Sequence, residues 1–117
     1  MASSIIPPGM TWKDISSEFT INTTYCQEFK AYTDGHQVYM RMIAKAGTPD
    51  QTNIVTNIPS AYRALGSLQV ALNTFWMNWT DSGKSVCAYV MTSAIQVRTV
   101  GNIEGSSGVI VSGSYPI

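Results

Sequence analysis

Charge is what this sequence has least of. Only 12% of its residues are Asp, Glu, Lys or Arg, about half the usual share in a globular domain. The seven basic and seven acidic residues balance to a formal charge of zero. That excludes a nucleic-acid footprint, because phosphates are held by a surplus of Lys and Arg on one face. Colloidal repulsion is equally small, so solubility has to come from Ser, Thr, Asn and Gln. Histidine occurs once, at position 36, and cysteine twice, at 26 and 87. With no Cys-x-x-Cys and a single imidazole, no metal-ligand spacing exists, and no cofactor is expected. Cys26 and Cys87 are read as buried free thiols, the usual state of isolated cysteine, with a disulfide between them left open. No run of 18 apolar residues is present, so no membrane insertion is expected. The opening Met1-Ala2-Ser3-Ser4-Ile5-Ile6 has neither a basic region nor a long apolar stretch behind it and does not read as a signal peptide.

What remains is a weakly charged, β-rich chain of 117 residues, near the modal size of a single domain. A chain of this length buries roughly two-thirds of its unfolded surface, enough for a core without staples. Residues 1–10 read as a linker, because Pro7-Pro8 favours an extended conformation that Gly9 interrupts. Residues 11–117 read as one domain.

Within it the clearest stretch is 34–45. Asp34-Gly35 is a turn signal, since Gly takes positive φ without steric cost. From there Val38, Met40, Met42 and Ala44 alternate with Tyr39, Arg41, Ile43 and Lys45, so one set of the strand is wholly apolar. The stretch 12–21 combines a short turn through Ser16–Ser17 with a strand from Phe19. Residues 23–32 lean to strand by their Thr and Tyr content, although a helical turn at 27–31 is left open. Asn53–Ile58 is a short strand stopped by Pro59. Ser60–Leu65 is the one place for a helical turn, with Gly66 as its stop. Leu68, Val70, Leu72, Thr74 and Trp76 form an inward set, and 80–84 a hairpin loop of turn residues. Val86, Ala88 and Val90, then Ile95, Val97 and Thr99, give two further strands with a break near 92–94. A Gly/Ser loop at 101–108 precedes a last strand on Val109, Val111, Gly113 and Tyr115. Strand-like runs every 10 to 15 residues, with almost no sustained helical period, predict an all-β antiparallel β-sandwich.

The order of these segments carries a resemblance. Asp34-Gly-x-x-Val38-Tyr39-x-Arg41-x-Ile43 is followed by Asn57-Ile58-Pro59-Ser60, Leu65-Gly66-x-Leu68, a long middle hairpin and Gly108-Val-Ile-Val-Ser-Gly-Ser-Tyr115. This pattern resembles the small C-terminal receptor-binding head domains of siphovirus and prophage tail-fibre or minor tail proteins. It departs from their usual form at Ser60-Ala61-Tyr62, where His-Gly-Ile is common, and at Met40, which separates Tyr39 from Arg41. The resemblance implies a jelly-roll-like fibre head, a homotrimer, a place in the virion outside the cell, contact with other virion tail proteins, and recognition of a bacterial surface glycan. Several weak sites on one particle would then act together.

The residues best suited to such recognition are Trp79, Asn78 and Asp81, with Tyr62 and Arg63 from the helical turn. A ring can lie against the apolar face of a sugar while amide and carboxylate groups bind its hydroxyls. Trp76 and Trp79 have opposite parity, so Trp76 is assigned to the core and Trp79 to the surface. Burial under a loop or in a trimer seam is the competing fate of Trp79. His36 is expected at the surface or in a local hydrogen bond. The carboxylates Asp14, Glu18, Glu28, Asp34, Asp50, Asp81 and Glu104 are scattered singly. Nothing in their spacing forms the fixed pair that glycoside hydrolysis needs, and no nucleophile motif accompanies His36. The chain is therefore read as no enzyme. The rival reading is a structural capsid or head-fibre decoration protein that binds other virion subunits.

Overall fold

The computed structural model describes residues 11–67, 69–77, 85–99 and 108–117. The expected linker 1–10, the hairpin tip 80–84 and most of the 101–108 loop lie outside the described residues. The architecture is all-β and antiparallel.

One half of it is built on the hairpin of β3 (Cys26–Thr33) and β4 (Gln37–Ala44). The turn between them is held by its own side chains. Asp34 Oδ1 accepts from the backbone N–H groups of His36 (2.8 Å) and Gln37 (3.0 Å). Thr33 Oγ1 accepts from the Gly35 N–H at 3.0 Å and donates to the Gln37 carbonyl at 2.8 Å. Gly35 supplies the φ of +94° that this turn requires. The inward set predicted for β4 is fully buried: Val38, Met40, Met42 and Ala44. Burying a large apolar side chain of this kind contributes about 1.5–3 kcal/mol.

The last strand, β9 (Val109–Pro116), runs along the whole of β4, from Gln37↔Pro116 to Ala44↔Val109. Next to it lies β6 (Val70–Trp76), which divides its pairing. Asn73–Trp76 pair with β9, whereas Val70–Leu72 pair with β7 (Val86–Val90). Gly113 makes this divergence possible. A Cβ there would stand 2.8 Å from Cδ2 of Leu72, the residue just before β6 meets β9. From β7 the sheet continues through β8 (Ile95–Thr99) and β5 (Thr52–Asn57) to the two-residue β2 (Thr20–Ile21). A second two-residue strand, β1 (Lys13–Asp14), pairs with β3 at the opposite edge. The order is β1-β3-β4-β9-β6-β7-β8-β5-β2, with both outermost strands very short, which limits edge-to-edge pairing with other chains.

β6 thus joins two ladders into one continuous sheet, which curls so that residues from both halves share one core. Phe29, Ala31, Met40 and Val111 from one half meet Ile54, Ala88, Val90, Ile95 and Val97 from the other in a single buried cluster. The pairings describe a curled sheet; they do not by themselves separate it into the two sheets of a sandwich. Trp76 lies in this core, as its parity predicted. Thr33 and Thr48 are the buried polar residues among those described; Thr48 Oγ1 donates to the Lys45 carbonyl at 2.7 Å.

Several predicted details shift. Residues 26–33 are strand with no helical turn. Ser60–Tyr62 and Leu65–Ser67 form two short 3-10 turns, and Gly66, at φ +69°, sits inside the second of them. Ile43, on the face of β4 opposite the core, is nonetheless buried, flanked across the ladder by Glu28 on β3 and Ile110 on β9. The two cysteines are free, but only Cys26 is buried; Cys87 is exposed, because it takes the outward parity of β7.

Candidate functional site

Strand parity places Cys87 and Tyr89 on the outer face of β7. Gln96 and Arg98 take the same face of β8, and Asn53 that of β5. Register brings them into rows, since Cys87 faces Arg98, Tyr89 faces Gln96, and Gln96 in turn faces Asn53. The side chains join in the same order. The Tyr89 hydroxyl donates to Gln96 Oε1 at 2.6 Å, and Gln96 Nε2 donates to Asn53 Oδ1 at 3.2 Å. Arg98 Nε donates to Asp50 Oδ1 at 3.1 Å. That same oxygen accepts the Thr99 backbone N–H at 2.9 Å.

The electrostatics are compensated. The Thr99 N–H, and then Arg98, hold the Asp50 carboxyl below its ordinary range. Tyr89, and then Asp50, hold the Arg98 guanidinium above its own. Two hydrogen-bonded sets, Asp50–Arg98 and Tyr89–Gln96–Asn53, thus lie side by side on the outer face of three strands. Beside it lies an open groove of about 250 Å³ lined by Asp50, Ser85, Val86, Cys87, Arg98 and Thr99. That volume lies just below the usual range for small-molecule pockets and suits one small ring.

Of the residues singled out from sequence, Trp79, Asn78 and Asp81 lie outside the described residues. Tyr62 and Arg63 are described, and both are engaged within the fold. The Tyr62 ring stacks on Phe19 with centroids 6.1 Å apart and planes 10° from parallel, and its hydroxyl donates to Glu18 Oε2 at 3.2 Å. Its carbonyl accepts the hydroxyl of buried Tyr115 at 2.6 Å. Arg63 Nε donates to the Ile58 carbonyl at 2.9 Å. The structure therefore brings Tyr62 and Arg63 together at the turn after β5, while the groove beside β7 and β8 gathers residues that sequence reasoning passed over. Asp50 was one scattered carboxylate among seven. The signal that pointed to the others was the polar, outward parity of Tyr89, Gln96 and Arg98 in strands whose inward set is apolar. His36 is exposed, as expected.

Among the described residues no group of three His, Cys, Asp or Glu side chains is placed to hold a metal, and no helix is long and apolar enough to cross a membrane. No family model, curated protein or solved structure matches this chain.

Proposed function

We propose that this chain is a non-catalytic receptor-binding head of the phage tail-fibre type, which attaches a virion to a saccharide on the bacterial surface. The observation that carries the reading is the pair of hydrogen-bonded sets Asp50–Arg98 and Tyr89–Gln96–Asn53 beside an open groove. It combines fixed polar groups with a partly apolar wall, the composition of a site that orients a small polar ligand. The sequence pattern from Asp34 to Tyr115 supports the same reading through its resemblance to fibre heads. Recognition needs no reacting group, and among the described residues lining the groove Asp50 is the one carboxylate, where glycoside hydrolysis uses two. A homotrimer would present three such grooves and convert weak single contacts into firm attachment.

Binding of the purified chain to isolated bacterial envelopes and to a glycan array tests the proposal, with release of reducing sugar followed in parallel. Envelope and glycan binding without sugar release is the expected result. Sugar release would replace recognition with catalysis.

A second reading has its own support. Phe75 is 71% exposed on the outer face of β6 and sits across from Ile110 on β9, with Met77 exposed just beyond it. An apolar strip of this kind fits contact with another virion subunit, as in a capsid or head-fibre decoration protein. A chain that attaches to virus particles and binds no envelope fraction would favour that role.

A further inference from the structure

We infer that the groove beside β7 and β8, together with the polar row Tyr89–Gln96–Asn53 that flanks it on the same outer face, is the saccharide site itself, and that it selects an uncharged sugar bearing neighbouring hydroxyls. This rests on the recognition reading above and adds to it a place and a ligand class.

The donor and acceptor inventory carries the argument. Asp50 offers carboxylate oxygens and Gln96 a carbonyl oxygen, so the row presents acceptors. The Arg98 guanidinium has five N–H donors and the amides of Asn53 and Gln96 two each, more than the bonds within the row consume. A hydroxyl both donates and accepts, so it matches such a mixed row, whereas a carboxylate or phosphate accepts only. An anion would also have to compete with Asp50 for Arg98, because the guanidinium is already paired at 3.1 Å. Among the described lining residues no positive charge is therefore left uncompensated to hold one. Val86 and Cys87 supply apolar wall, against which the C–H face of a sugar ring can rest. The side chains are also held by one another before any ligand arrives, which lowers the ordering cost of binding.

Cys87 gives an internal reporter. Its thiol is exposed and lines the groove, while Cys26 is buried among the core residues. The experiment uses the full chain. Neutral hexose oligosaccharides and their uronate- or phosphate-bearing counterparts are compared on an array, and the tightest binder is then added at saturation during N-ethylmaleimide labelling. The expected result has four parts: a neutral oligosaccharide binds best; its affinity is insensitive to salt, as a ligand without charge requires; Cys87 labelling slows at least about fivefold at saturation; and Asn53→Ala and Gln96→Ala each weaken binding about tenfold, roughly one lost hydrogen bond to a ligand. Both substitutions are at the surface, and Ser114→Ala, on the far half of the sheet, serves as the folded control. Glycan binding with unchanged Cys87 labelling and unaffected variants would overturn the groove and leave the recognition reading standing. Binding restricted to acidic glycans, with steep salt dependence, would overturn the ligand class. No glycan binding at all would overturn both.

Discussion

Replacing Tyr115 by Phe removes one atom from the core and should be felt throughout the domain. Tyr115 is 1% exposed, and its hydroxyl donates to the Tyr62 carbonyl at 2.6 Å, tying β9 to the turn at 60–62. Burial also pushes its ionisation far above the ordinary tyrosine range, which favours the protonated, donating hydroxyl. The ring of Phe fills the same space, so the apolar contacts are kept and the hydrogen bond alone is lost. The Tyr62 carbonyl is then left without that partner in a partly buried position, at a cost of about 1–2 kcal/mol. For a domain of this size, each kcal/mol shifts the melting midpoint by about 4 °C. The midpoint of Tyr115→Phe should therefore fall by about 4–8 °C in a thermal unfolding scan followed by circular dichroism. Because Tyr62 is also stacked on Phe19, its aromatic near-ultraviolet signal should change as well. A fall of less than about 1 °C would refute the reasoning, since it would mean that the bond contributes nothing net.

Two glycines should respond differently to alanine. At Gly108, φ is +80° and a Cβ would collide with the backbone oxygen of Ala44, so Gly108→Ala should unfold or severely destabilise the chain. At Gly113 the obstacle is the Leu72 side chain, which can move, so a loss of about 1–3 kcal/mol is expected by chemical denaturation. Asp14, Asp34 and Asp50 all have carboxyls held below their ordinary range, chiefly by Ser16, the His36 N–H and the Thr99 N–H respectively. Their contribution is fully present above the unfolded carboxylate pKa and is lost as pH falls through the lower folded value. Asp34→Asn should therefore flatten the acid limb of a stability–pH curve. Ellman's reagent should titrate one thiol per native chain, Cys87, and a second only on unfolding; burial pushes the Cys26 thiol up as well as shielding it.

Strand identity was largely legible because inward parity is written in the side chains. Val38-x-Met40-x-Met42-x-Ala44 and Val109-x-Val111 each admit only one buried face, and Trp76 could be assigned to the core from its parity with Leu72 and Thr74. Strand partners were not legible. That β6 divides between β7 and β9 depends on a close approach of Leu72 to Gly113, forty-one positions away, and no local pattern encodes it. The short β2 and β1 take their partners from distant segments for the same reason. Ile43 lies on the face its parity assigns, but period two cannot report the cover it receives there from cross-strand neighbours. The outer-face cluster was hidden by separation: Asp50 and Asn53 come from the middle of the chain, Tyr89, Gln96 and Arg98 from a later segment, and the β5–β8 pairing joins them. For Tyr62 and Arg63 the residue types fit sugar binding, and the structure adds that the Tyr62 hydroxyl bonds Glu18 and Arg63 Nε bonds the Ile58 carbonyl.

The most direct test of recognition is binding of the purified chain to bacterial envelopes before and after periodate oxidation, which cleaves carbon–carbon bonds between neighbouring hydroxyls and leaves protein receptors largely in place. Saccharide recognition predicts saturable binding that periodate abolishes. Binding that survives full oxidation, or no binding to untreated envelopes, would contradict it.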